Sequence, residues 1–265
     1  MNQRSVLFRE LRAPELRALA SPATVVIVPV AAMEQHGPHL PVGTDAMLGA
    51  EVARRAAELL AAERPALVTD TAWAGLSEHH MAFGATISLD FPAFFSLLRG
   101  IVVSLHRHGF RRILLLNSHG GNVAALQTVV EEITRELQLP LVGATYWTLA
   151  QGVLGPMLDR QKGIRHACEA ETSMIMALRP ELVDEAARLA TCEPDPRDGE
   201  PSGDDGYRWM SFAEKTPSGV LGDPTAASAA KGEKLLDAAA RHLASQLRDE
   251  TFWGPRGRGR SEGQS

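Results

Sequence analysis

Along the chain, short and nearly continuous apolar runs alternate with longer amphipathic ones, and polar loops separate them. Residues 24–30, TVVIVPV, are mostly β-branched and almost unbroken in apolarity, the pattern of a strand covered on both faces. The chain turns polar over 34–45. Over 46–60 apolar residues recur at helical spacing, leaving Arg54, Arg55 and Glu58 for an exposed face. A second strand is expected at 66–69. Asp90 is placed to cap a helix that starts at Phe91 or Pro92, continues through Leu97, Val102 and Leu105, and stops at Gly109. Residues 112–117 read as another buried strand, followed by the loop 118–122 and an amphipathic helix over 123–137. A further strand is expected over 140–146, a helix over 171–178 before Pro180, and helical character again over 226–247.

This order predicts an α/β protein with a mostly parallel central sheet and covering helices, whose ligand-binding groups lie beyond the carboxyl ends of the strands. One domain is expected over 1–250, followed by a flexible tail over 251–265 that is rich in Gly and Arg. Residues 192–206 are rich in Asp, Glu, Pro and Gly and read as an exposed excursion, with a plain surface loop and an active-site lid both open.

At 265 residues the chain can bury a sizeable core without disulfides or a structural metal. A formal charge of −5 gives no electrostatic reason for nucleic-acid binding, and the Gly/Arg tail lacks interleaved aromatics. Cys168 and Cys192 are too few for a disulfide framework and form no CxxC pair, so reduced cytosolic thiols are expected. The apolar run at 24–32 is too short to span a bilayer. The expectation is a soluble cytoplasmic protein acting on a small molecule, with no nucleic-acid or membrane partner.

Three polar clusters carry the chemistry. In the first, Glu34 and His36 are separated by two residues, so on an extended segment both point to one side. Asp45 stands at the start of the next helix, whose positive end favours a carboxylate that can cap the helix and still offer an oxygen to a metal. A charged Pro-Gly surface loop is the alternative. In the second cluster, His119 follows a buried strand directly, and Gly120 and Gly121 permit a tight turn with amides facing the cleft. Asn122 can cap the following helix or contact substrate. In the third, Glu171 precedes an apolar helical segment, while Glu169 points elsewhere if the segment is already helical. An N-terminal capping region with two solvent-facing acids is the competing reading. Neither GxxxxGK[ST] nor a GxGxxG turn after the first strand is present, so phosphate-loop and dinucleotide-binding readings are unsupported.

The ordered motifs EQHG at 34–37, GTD at 43–45, GLSEHHMAFGATISL at 75–89, NSHGGN at 117–122 and HACEAET at 166–172 resemble the creatininase, or creatinine amidohydrolase, family. The resemblance implies a three-layer α/β/α enzyme with two divalent metal ions per subunit. It also implies a homo-oligomer, a hexamer being one such assembly. By that resemblance Glu34 and His119 are outer ligands of one metal, Asp45 bridges, and His36 binds the second. Creatininase itself carries a glutamate two residues after the histidine of the NSHGGN-type motif. Here that position is Gly121, and Glu171 takes the role, as in relatives with the HGGN form. Cys168 replaces a glycine of the His-Ala-Gly motif, and Gly84-Ala85 replaces a Pro-Gly pair, both changes bearing on the pocket.

The chemistry implied is hydrolysis of a carbon–nitrogen bond in a small cyclic or linear amide by a metal-activated hydroxide, with zinc, manganese or iron compatible with the ligands. His166 is the candidate for proton transfer, and the backbone at Gly120 and Gly121 for oxyanion stabilisation. His80 and Glu78 are candidates to contact substrate or brace a ligand, with a surface hydrogen-bond network equally open for Glu78. Tyr146 and Trp147 offer a pocket wall or a subunit contact, with core packing ranked ahead for Trp147. Two other readings stand beside this one: hydrolysis of a carbon–carbon bond in a cyclic ketone, and a noncatalytic small-molecule binding protein on the same scaffold.

Overall fold

The computed structural model describes residues 5–191 and 208–254. In chain order the elements are helix α1 (Ala13–Leu19), strand β1 (Val25–Val30), helix α2 (Thr44–Ala61), strand β2 (Ala66–Val68), helix α3 (Phe91–Arg107), strand β3 (Arg112–Asn117), helix α4 (Val123–Leu137), strand β4 (Val142–Thr145), the short helices α5 (Tyr146–Leu149) and α6 (Gln151–Leu154), then α7 (Glu169–Leu178), α8 (Glu185–Ala190) and α9 (Ala229–Arg248). The strands form one sheet in the order β2-β1-β3-β4, parallel throughout.

Strand alternation divides the core between two faces. Val25 and Ile27 of β1, with Leu114 and Leu116 of β3, pack toward α2, α7 and α9. Val26, Val28 and Val30, with Ile113 and Leu115, pack toward α3 and α4. Both faces are therefore covered, which is why these strands read as continuous apolar runs. On α3, Phe94, Leu98, Val102 and Leu105 form the buried stripe, each contributing about 1.5–3 kcal/mol by leaving water. Asp90 caps that helix as expected, accepting from Ala93 N at 2.9 Å. Pro29 is tolerated inside a central strand because the β1–β2 ladder ends at Ile27 and Val68, so its missing N–H faces a segment that has already left the sheet.

The expected strands and long helices fall where the pattern put them, with shifts at their ends. The helix expected from 171 starts at Glu169, after an extended Cys168, and the strand expected over 140–146 ends at Thr145 because Tyr146 opens α5. The packed chain also runs past residue 250: Trp253 is buried against the α9 side of the core, so residues 251–254 pack with the domain. The excursion read at 192–206, Cys192 and residues 255–265 lie outside the described residues. No described helix is long and apolar enough to cross a membrane.

The strand order places β1 between β2 and β3, with α2 on one face and α3 and α4 on the other. The winding direction reverses there, and the loops after β1 and β3 part to leave a crevice at their carboxyl ends. The first two polar clusters of the sequence emerge into that crevice.

Candidate active site

Glu34 and His36 leave β1, Asp45 is the second residue of α2, His119 follows β3 by two residues, and His166 and Glu171 flank the entry to α7. All six are buried or nearly so. Asp45 does not cap its helix; Gly43 holds the cap position without a side-chain bond, and the Asp45 carboxylate turns inward. Asp45 Oδ1 lies 3.2 Å from His36 Nε2, and Oδ2 lies 3.1 Å from His119 Nδ1. Glu34 Oε1 is 3.1 Å from His119 Nδ1, and Glu171 Oε2 is 3.9 Å from His36 Nε2. The ligand atoms of His36, Asp45 and Glu171 lie within 4.8 Å of one another, as do those of Glu34, His79 and His119 and those of Glu34, His36 and His166.

The hydrogen bonds around this cluster reveal what it is built to hold. His36 Nδ1 donates to Glu34 O at 3.1 Å, and His119 Nε2 donates to Leu76 O at 3.1 Å, since a carbonyl can only accept. Each imidazole therefore turns its other nitrogen, unprotonated when the ring is neutral, toward the carboxylates, the arrangement that orients metal-ligating histidines. His36 Nε2 and Asp45 Oδ2 have no hydrogen-bond partner despite their burial. Buried polar atoms without partners are costly, and three carboxylates with two aligned imidazole lone pairs match divalent cations. The residues fit a metal pair.

Residues that sequence reading did not select hold this geometry. Gln35 Oε1 accepts from Gly37 N at 2.8 Å, which fixes its amide; its Nε2 then donates to His80 Nδ1 at 2.7 Å and to Gly219 O at 3.1 Å. His80 consequently carries its proton on Nε2, 3.3 Å from Glu34 Oε1. Ser77 Oγ donates to Glu34 Oε2 at 2.7 Å. Gln35 offered a signal, since it sits inside the EQHG motif facing away from Glu34 and His36. Ser77 lies inside the 75–89 motif, but its partner Glu34 is set only by folding.

The other sequence candidates separate into those that line the cavity and those that do not. Glu78, His80, Gly120, Gly121 and Trp147 line an open cavity of about 590 Å³ above the cluster, within the roughly 300–1,000 Å³ of small-molecule sites. Trp147 is half-buried and forms wall rather than pure core. Asn122 neither caps α4 nor lines the cavity: it bonds Leu76 N at 2.9 Å and Ala31 O at 3.1 Å, bracing the loop whose Leu76 carbonyl holds His119. Glu169 points away from the cluster, as expected of a segment that is already helical. Fully buried, it accepts from Asp159 N and Arg160 N and pairs with Lys231, because the helical turn carries it away from Glu171. Tyr146 is core, outside the cavity wall, with its hydroxyl lacking a partner. His79, Arg208, Trp209, Phe212 and Lys215 join the wall from positions the sequence reading left unassigned. Phe212 packs its ring 4.1 Å from that of His80 and 4.9 Å from that of His166.

Two backbone features explain departures seen in the motifs. A Cβ at Gly121 would fall 2.2 Å from Leu76 O and 2.4 Å from His119 Nε2, so this loop admits no side chain there, and Glu171 approaches from α7 instead. Ala85 and Ala167 adopt left-handed conformations, φ 51° and 52°, at about 1–2 kcal/mol each for a non-glycine residue. The Ala167 turn directs its amide to Glu171 Oε2 at 2.6 Å.

Electrostatically the cluster demands positive charge. Burial opposes protonation of His36, yet Asp45, Glu171 and Glu34 outweigh it and raise this imidazole to about 9. Burial and Asp45 push the Glu171 carboxyl above its usual range. Both groups thus hold protons at neutral pH unless a cation replaces them. Divalent metal uptake at pH 7 is therefore expected to release protons, and metal affinity to rise with pH until about 9. Calorimetric titration in buffers of differing ionisation enthalpy reads this directly; uptake without proton release contradicts it.

Comparison with known proteins gives a consistent picture. Residues 9–247 match the family model described as "Creatininase: Creatinine amidohydrolase". The chain is 34% identical over 232 residues to a mycofactocin precursor peptide peptidase of Mycolicibacterium smegmatis, covering 83% of each chain. It is 30% identical over 270 residues to creatinine amidohydrolase of Pseudomonas putida, covering 93% of this chain and 98% of that one. Among solved structures it superposes on a creatininase described as the Mn form with TM-score 0.77 and 29% identity, covering 92% of this chain and 98% of that one. A mutant creatininase of "Zn-Zn type" gives TM-score 0.78 at 29% identity, with 93% and 98% coverage.

Proposed function

The chain belongs to the creatininase family, and from that membership we propose that it is a metal-dependent amidohydrolase that cleaves a carbon–nitrogen bond in a small cyclic or linear amide. The observation that carries this reading is Asp45, whose two carboxylate oxygens face two different imidazoles at 3.2 and 3.1 Å, as a carboxylate bridging two cations would. Glu34 and His119 would complete one side of the pair, His36 and Glu171 the other. Zinc and manganese, named for the similar creatininase structures, are the metals to try first. When bound, such cations supply Lewis acidity that lowers the pKa of water and polarises a substrate carbonyl.

The protein's own residues supply proton transfer and orientation. His166 Nε2 donates to Gln35 O at 2.8 Å, leaving Nδ1 unprotonated and turned toward the cluster, 3.5 Å from Glu34 Oε1. Burial, then the neighbouring His36 and His80, hold this imidazole well below its ordinary pKa, so it stands neutral at pH 7. Nδ1 takes the proton of the attacking water and returns it to the departing nitrogen. Phe212 excludes solvent over His80 and His166.

His166→Ala is expected to keep its metal and lower kcat by about 10²–10⁴, measured by elemental analysis beside turnover. A normal rate removes His166 from this role. The reading as a whole is tested by supplying zinc- or manganese-loaded protein with a panel of cyclic amides, formamides and short peptides and identifying products. Activity confined to non-amide substrates, or full activity without divalent metal, rejects it. A peptide substrate is the second reading, favoured by the 34% identity to a peptide peptidase and by a cavity open to solvent.

We also carry the homo-oligomer as a proposal. Trp73, Ile87 and Phe91 leave large apolar side chains exposed on the single chain, surface of the kind that subunit contacts cover. Mass photometry is expected to find an assembly, a hexamer included; a monomer at micromolar concentration excludes it.

A further inference from the structure

The cavity wall carries a charge pattern that amide hydrolysis by itself does not require. Among its charged residues, Glu34, Asp45 and Glu171 belong to the buried cluster, while the remainder are Glu78, Arg165, Arg208 and Lys215. Arg208 and Lys215 are exposed at the mouth. Several cations elsewhere are matched with acids: Arg55 holds Glu51 and Glu233, Arg112 holds Glu250, and Lys231 holds Asp159 and Glu169. Among the described residues Arg208 bonds only Met210 Sδ, at 3.1 Å, and Lys215 Nζ stands 5.7 Å from the centre of the Phe212 ring with no carboxylate. Both cations stand at the mouth of one cavity, in a chain whose formal net charge is −5.

We propose that Arg208 and Lys215 receive a carboxylate of the substrate at the mouth of the cavity, while Phe212 and Trp209 pack against its apolar portion. Resting on the amide-hydrolase reading, this narrows the substrate to an amide that also bears an anionic group. Phe212 links the two regions, since the same ring lies beside His166 and beneath the Lys215 charge. Guanidinium and ammonium groups bind carboxylates by charge-assisted hydrogen bonds, and an aromatic floor excludes competing water.

The test uses metal-loaded protein and the intrinsic fluorescence of the cavity tryptophans. The probes are 3-phenylpropionate and its uncharged analogue 4-phenyl-2-butanone. Wild type is expected to prefer the acid, and Lys215→Gln and Arg208→Gln each to weaken acid binding about tenfold while leaving the ketone unchanged. Metal content and circular dichroism are measured alongside to establish that each variant is folded and loaded. Acid affinity that survives both substitutions assigns the carboxylate to the metal side or elsewhere and overturns the proposal, as does a wild type without preference. Acetyl-Ala-Ala-Phe and its C-terminal amide form a second pair: tighter binding of the peptide acid than of 3-phenylpropionate identifies a peptide terminus as the source of the carboxylate, and the reverse identifies a small acid. Failure of the amide-hydrolase reading would appear separately, as missing turnover in protein that still distinguishes acid from ketone.

Discussion

Asp45→Ala is expected to strip both metal ions at once and to lower kcat/KM by at least about a thousandfold, a loss of ~4 kcal/mol of transition-state stabilisation. The reason is its position: one carboxylate serves both halves of the cluster, with Oδ1 toward His36 and Oδ2 toward His119. Replacing Glu34 or Glu171 removes an acid from one side, whereas replacing Asp45 removes the link between them. The fold should survive. Ser118 Oγ bonds the backbone oxygen of Asp45 at 2.9 Å, a contact that alanine retains. In the metal-free protein burial opposes the Asp45 charge, but the carboxylate faces His36 and His119, which hold it below its ordinary range. Above that range it therefore contributes stability, and the metal-free variant is expected to melt lower than metal-free wild type while still folding. Elemental analysis, turnover and thermal melting measure the three parts of this expectation. Wild-type metal content with wild-type turnover would remove Asp45 from the centre of the site.

Gly232→Ala carries the largest expected effect on stability. In an exposed helix this change stabilises by about 1 kcal/mol, yet here the sign should reverse. An added Cβ would lie 1.8 Å from Ser173 O and 2.3 Å from its carbonyl carbon, where α9 crosses α7 backbone to backbone. Neither helix can relieve this by rotating a side chain, so they must separate. We expect a loss of about 3 kcal/mol, or ~6–12 °C in melting temperature for a domain of this size. Because α7 delivers Glu171 to the cluster, its displacement should also weaken metal binding, and misplacement by about 1 Å can cost 10²-fold in rate. A melting temperature at or above that of wild type would show that the crossing is looser than the close approach implies.

Much of the scaffold was legible because each long element writes its environment into its composition. Strands β1 and β3 are covered on both faces and are therefore apolar throughout, and α3 and α4 bury single stripes at helical spacing. The short helices α1, α5, α6 and α8 went unread, since pieces of four to seven residues carry too little periodicity. In the site, the motif acids and histidines stood out by residue type and loop position. Their supporting residues did not, because a serine at 77 or a phenylalanine at 212 acquires meaning only from what it faces.

Taken alone, the order of residues determined the α/β alternation, the polar loops after the first and third strands, and the supply of carboxylates and imidazoles. Only the tertiary structure decided that Asp45 looks inward from α2 instead of capping it, that Asn122 and Glu169 bond loop backbone, and that the turn at Gly121 has no room for a side chain. The physical reason is that periodicity and composition report whether a side chain meets water or core. Direction, lone-pair orientation and the distance between atoms far apart along the chain are set when the strands register and the helices close over them.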